Sequence, residues 1–277
     1  MSDRTLPAWL RLVLLVTGLM QFSFGLTVLL NPGAIDGLWP WPLSPISARL
    51  LGASSLVSVP LSILTAVVNR WSAARIPLVM LLAYRVLQVA VGVVHIGRFD
   101  FTRPITWNYF GGGLLLGLLL AYGLARGSAM GKPVDSWPGW LRGQASLRLG
   151  LLARAAILGF AGIYALIGLT LLILGQGGAW LWIEPAGAAT SLTLRLFASP
   201  TFGLSLGLLL VTRAWLWREV AIPAAGLSTI GLTGSLAILL ELGGLAPATA
   251  LGYFVALTPP ILLMIGLFLF TPGRAAR

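Results

Sequence analysis

The chain has 277 residues, 58% of them hydrophobic and only 9% charged, with a formal net charge of +11. Soluble domains carry roughly 25% charged residues, so this composition, with a mean hydropathy of +0.95, excludes a soluble globular protein and points to an all-α, polytopic membrane helix bundle. The absence of cysteine excludes disulfides, thiolate metal sites and iron–sulfur clusters, and the single histidine excludes bis-histidine haem ligation, so no metal or cofactor is expected.

In chain order, eight segments are long and apolar enough to span a bilayer, which needs about 20 residues. They are 9–30, 45–68, 76–97, 108–125, 154–175, 190–212, 220–242 and 250–271. The first, Trp9 to Leu30, is longer than the apolar core of a secretory signal and no small-residue cleavage site follows it, so it reads as a retained span. All eleven tryptophans fall at segment ends or in connections, the membrane–water interface that tryptophan prefers.

Charge follows the same boundaries. With eight spans, thirteen Lys and Arg residues lie on the side of the N-terminus and four on the other, with Arg85 left inside the membrane. The positive-inside rule then places both termini in the cytoplasm, in a bacterial inner membrane. The basic balance reads as topology, and no nucleic-acid partner is expected.

The eight segments fall into two sets of four. Arg11 and Gly25-Leu26-Thr27 recur as Arg154 and Gly168-Leu169-Thr170, 143 positions on. Ser44 to Arg49 recurs as Thr190 to Arg195, and Ile76-Pro77 as Ile222-Pro223, both 146 positions on. The expected layout is two four-helix units of the same orientation, residues 1–126 and 154–277, related by a pseudo-two-fold along the membrane normal. Between them, the basic segment 127–153 is expected to lie along the cytoplasmic surface, attracted by anionic lipid.

The third span carries the least expected residues. Arg85 lies near its middle, Gln88 three positions on and His95 near its end. At 100° per residue these share a polar stripe, and such residues normally face a bundle interior or a wet cavity. The 146-residue shift sets Glu241 opposite His95, and Gly231 and Gly234 opposite Arg85 and Gln88. No acid lies at the depth of Arg85, and Gln21 of the first span is its expected neighbour. An unpaired guanidinium in a bundle invites a carboxylate, a phosphate or a lipid headgroup, so a cavity between the two units is expected, holding Arg85, Gln88, Gln21, His95 and Glu241. The competing structural account has Arg85 snorkelling or bonding backbone carbonyls while the glycines serve helix packing.

In the outer loop Trp39-Pro-Trp-Pro-Leu-Ser-Pro, Ser44 followed by Pro45 marks a helix start. Arg49 sits one turn in, where the helix dipole disfavours a cation. Asp36 is expected to compensate it, as Glu184 is expected to compensate Arg195, with an outer-surface anion site as the alternative. Serines and threonines in spans 2 and 6, with Gly113-x-x-x-Gly117 and Gly203-x-x-x-Gly207, point to tight helix contact. Pro60, Pro200 and Pro259-Pro260 point to kinks or early helix ends. No nucleophile–base pair, phosphate-binding loop or metal-ligand cluster is present in the sequence, and no enzymatic activity is expected.

Each set of four spans resembles the compact bundle of DoxX-like bacterial membrane proteins. A glycine-bearing first helix is followed by an Arg-x-x-Gly entry into the second, Arg49-Leu-Leu-Gly52; the second set departs from this, with Ala198 and then Ser199 where the glycine is due. The Trp-Pro-Trp-Pro-Leu-Ser-Pro string also resembles a motif of bacterial multispanning proteins. Some DoxX-like proteins are associated with respiratory or sulfur-oxidising complexes, so the resemblance implies a membrane-protein partner and assigns no residue. Two readings stand side by side: a binder or transporter of a small anionic or lipid-like molecule, and a non-catalytic subunit of a larger membrane complex, a redox one among the candidates. Arg85 facing inward favours the first, and facing lipid the second.

Overall fold

A computed structural model of the chain describes residues 3–134, 148–177, 190–212 and 216–244. These are helical apart from short connections and one antiparallel ribbon of two residues a side, β1 (Asp3–Arg4) against β2 (Pro133–Val134). Three long helices come first: α1 (Ala8–Leu30), α2 (Pro45–Val68) and α3 (Trp71–Val94). The short α4 (Pro104–Trp107) continues through a π-helical turn, Asn108–Gly112, into α5 (Gly113–Met130). Then come α6 (Leu151–Leu174), α7 (Ser191–Val211) and α8 (Trp217–Leu240). Counting Pro104–Gly127 as one, seven helices among the described residues are long and apolar enough to cross a membrane, as a multi-pass membrane protein requires. The eighth segment, 250–271, lies outside the described residues, as do Glu184, Pro259-Pro260 and residues 135–147 of the basic segment 127–153.

The observed boundaries have local causes where the sequence carried them. The Ser44 side chain accepts a hydrogen bond from the Ser47 backbone N–H and Pro45 opens α2, while Thr190 caps α7 through the Thr193 N–H in the same way. α3 begins five residues before the expected 76, because Asp3 reaches across from β1. Its carboxylate accepts from the Ser72 N–H at 3.2 Å and the Ser72 hydroxyl at 2.6 Å, satisfying donors that a helix start otherwise leaves free. The early helix ends expected at Pro60 and Pro200 do not occur. Both helices run on past them, as α3 and α8 do past Pro77 and Pro223. Helices that pack against neighbours tolerate such breaks.

Glycine sets the closest packing. A Cβ on Gly52 would lie 2.6 Å from both the Gly25 carbonyl oxygen and the Leu29 backbone nitrogen, so α1 and α2 touch backbone to backbone. α7 packs on α3 where a Cβ on Gly203 would lie 3.0 Å from the Met80 carbonyl and one on Gly207 would overlap the Met80 side chain. α2 packs on α8, with Leu61 filling the space at Gly226. The Gly113–Gly117 pair makes no such seam, since a Cβ on Gly117 would meet nothing within 4 Å. An ion pair between Arg75 and the buried Glu219 ties the starts of α3 and α8 together. α2 and α7 start at Pro45 and Ser191, and α3 and α8 at Trp71 and Trp217, so both pairs are 146 positions apart.

Candidate functional site

The site grows from the way α3 is used on two sides. Met80 and Tyr84, one turn apart, meet the glycines of α7. Arg85 is rotated 100° from Tyr84, and this turns it toward α1 and α5. It is only 5% exposed. Its Nη1 donates to the Gln88 Oε1 at 2.6 Å, and its guanidinium carbon lies 4.8 Å from the centre of the Tyr84 ring. Its Nε is buried without a partner. Among the described residues no carboxylate lies within ion-pair distance of it. A guanidinium that is desolvated and compensated only by a neutral amide and a ring face is an expensive arrangement.

Arg85 and Gln88 open onto a cavity of about 340 Å³. α1 contributes Thr17, Met20, Gln21 and Phe24 to its wall, and α2 contributes Leu51 and Ser55. The π-helical turn brings Asn108, Tyr109 and Gly112, while Trp39 of the loop between α1 and α2 lines it as well. π-helical turns recur at functional sites because the extra residue re-aims side chains. Here the turn is fixed to α3 by the Tyr109 hydroxyl, which donates to the Gln88 carbonyl at 2.6 Å. The volume lies at the small end of ligand pockets, about 300–1,000 Å³. The lining offers amide and guanidinium donors between aromatic rings and, among the described residues, carries no acid. It suits an anion with an apolar body.

Above the cavity sits an aromatic cluster. Trp39 stacks on Phe24 at 5.9 Å between ring centres and meets Trp41 edge-on at 5.1 Å. Trp41 in turn packs against Phe99, and Phe99 against Tyr109, each at 5.0 Å. Arg103 holds this loop down by donating to the Trp39 carbonyl and bonding Asp100 at 2.9 Å. Hydrogen bonds from the Thr102 hydroxyl and backbone, then from Arg103, hold the Asp100 carboxyl below its usual range.

Of the residues expected from sequence, Arg85, Gln88 and Gln21 come together. Most of the wall of this cavity comes from α1, α2, α3 and the turn that leads into α5. Among the described residues, α7 adds only Leu196, and Gly231 and Gly234 of α8 do not line it. His95 and Glu241 lie away from the cavity, at the ends of α3 and α8. Asp36 forms no ion pair with Arg49; the acid there is Glu241, whose Oε1 accepts from Arg49 Nε at 2.5 Å. Arg49 Nη1 also donates to the carbonyls of Leu29 and Leu30 that end α1.

Arg195 repeats this pattern at the end of α6, donating to the Ile173 carbonyl at 3.2 Å, while its Nη1 lies 3.1 Å from His95 Nε2. Arginine only donates, so His95 Nε2 is the acceptor and the ring is neutral. Burial, then the charges of Arg195 and Arg98, hold the His95 pKa below its ordinary value. Tyr109, Asn108 and Trp39 were missed as wall residues, although the run Asn108-Tyr-Phe-Gly-Gly-Gly113 after Pro104 is an unusual way to start a span. Among the described residues no three His, Cys, Asp or Glu side chains group as a metal site. Compared with protein-family models, with curated proteins and with solved structures, the chain matches none.

Proposed function

We propose that this is an integral membrane protein that binds, and in doing so carries or presents, a small anionic or lipid-like molecule, with Arg85 as the anchor for its charge. The observation that carries this reading is Arg85 itself, buried, without a carboxylate partner among the described residues, and lining a cavity beside Gln21 and Gln88. A partner-binding role alone would have set Arg85 toward lipid or another protein, and its burial argues against that. The reading includes eight spans in two same-orientation units, with both termini cytoplasmic. The common 146-residue spacing of helix starts, caps and arginines supports the two units. The reading includes no catalysis.

The test is a pair of substitutions. Arg85→Leu should abolish binding of an anion that co-purifies from lipid extract, while leaving thermal stability in detergent unchanged or raised, because a costly buried charge is removed. Arg85→Lys should restore binding in part, since an ammonium lacks the planar fork that grips an acid head at two points. A fall in thermal stability with unchanged ligand content in Arg85→Leu would make the arginine structural and end the proposal.

A further inference from the structure

The way into the cavity says more about what fills it. Toward the outer surface the aromatic loop closes it, with Trp39 in its wall and held by Arg103. Toward the other surface Leu14 of α1 and Leu120 of α5, about a turn beyond the wall residues Thr17 and Leu116, are fully buried. Beyond these two residues, toward the start of α1 and the end of α5, the two helices touch. There, a Cβ on Gly123 would meet Leu10, and Trp9 packs on Tyr122 at 5.6 Å. Two turns further along, the helices part around the cavity. Met20 lines it and is yet 58% exposed on the outside of the bundle. Asn108 likewise lines it and is exposed. Leu19, Leu115 and Leu118 beside this gap are all about 60% exposed, as lipid-facing residues are. A Cβ on Gly117 of α5 would meet nothing within 4 Å among the described residues.

Resting on the anion-binding reading, we infer that the cavity is loaded sideways from the bilayer through the α1–α5 gap, and that its occupant is a single-chain amphiphile with a carboxylate head. One guanidinium with neutral amides from Gln21, Gln88 and Asn108 matches one negative charge. A phosphate monoester would bring close to two, and among the described residues no second cation lines the wall. A cavity of about 340 Å³ holds a head and the first part of one chain but not a two-chain lipid. The rest of the chain lies in the gap beside Met20, in contact with the hydrocarbon that supplied it.

The experiment uses the full chain in nanodiscs of uncharged phosphatidylcholine, with two radiolabelled probes. Palmitate partitions into the bilayer, and benzoate has the same head but stays in water. Wild type should bind palmitate saturably, one per chain. Arg85→Gln should weaken that binding by about tenfold or more, the loss of a charged hydrogen bond. Met20→Trp, which narrows the gap without touching the anchor, should slow palmitate association severalfold. A palmitate carrying a diazirine on its distal chain should label peptides of α1 and α5. If benzoate binds in an Arg85-dependent way and palmitate does not, entry from the bilayer is wrong and the anion site stands. Palmitate bound equally by wild type and Arg85→Gln is surface adsorption and overturns the inference. If neither probe depends on Arg85, both readings fall.

Discussion

His95 shows how one residue reports its surroundings. It ends α3, and its Nε2 faces Arg195 across to α7. A proton placed on Nε2 would set a second cation against the guanidinium, so folding opposes protonation. Histidine in the unfolded chain titrates near 6.5. Between that value and the lower folded one, the unfolded state binds more protons, so stability falls as pH drops through this window. The thermal midpoint in detergent should therefore decline from about pH 7.5 to about pH 5.5. His95→Gln, which keeps an acceptor but cannot titrate there, should flatten that slope. A slope unchanged by the substitution would assign the pH dependence to another group.

The residue scale also shows where sequence reading ran out. Gln88 was legible beside Arg85 because three positions on a helix are neighbours. The partners of Arg49 and Arg195 were not, because the nearest acid along the chain is a poor guide once helices cross. Glu241 is 192 positions from Arg49, and His95 is 100 from Arg195. Both had already been singled out as polar residues at helix ends, but for a ligand site. Their use in joining helices needed the tertiary arrangement.

Among elements, α2 was legible in full, Pro45 to Val68, since its cap and its first-turn proline are adjacent in sequence. The start of α3 was not, since Asp3, 69 positions away, completes it. The walls of the cavity were half legible: the polar stripe of α3 follows from periodicity, whereas the π-helical turn that delivers Tyr109 and Asn108 has no periodic signature. The α1–α2 seam gives a sharper test of the packing. Gly52→Ala would push a methyl group into the Gly25 carbonyl and the Leu29 nitrogen, both backbone atoms that cannot rotate away. It should cost about 1–3 kcal/mol, read as a lower thermal midpoint. Gly117→Ala, facing open space, should cost nothing measurable and serves as the control.

At the scale of the whole molecule, the seams between the first and second halves of the chain come in matched opposites. Leu61 of α2 fits the space at Gly226 of α8, and Met80 of α3 fits the space at Gly207 of α7. Positions 61 and 207, and 80 and 226, are each 146 apart, so at both places a large residue of the first half answers a missing side chain in the second. The consequence is a rule about mating. Two copies of the first half, joined the same way, would drive Leu61 into Met80 and set Arg49 against His95. Two copies of the second would leave a hole between Gly207 and Gly226. By these contacts neither half can be its own partner. Residues 1–147 and 148–277, expressed together as separate chains with different tags, should co-purify as one of each. Recovery of like pairs in equal amount would show that the seams do not discriminate. A chain built this way is fixed as a couple: its halves are free to diverge in what they bind but no longer free to part.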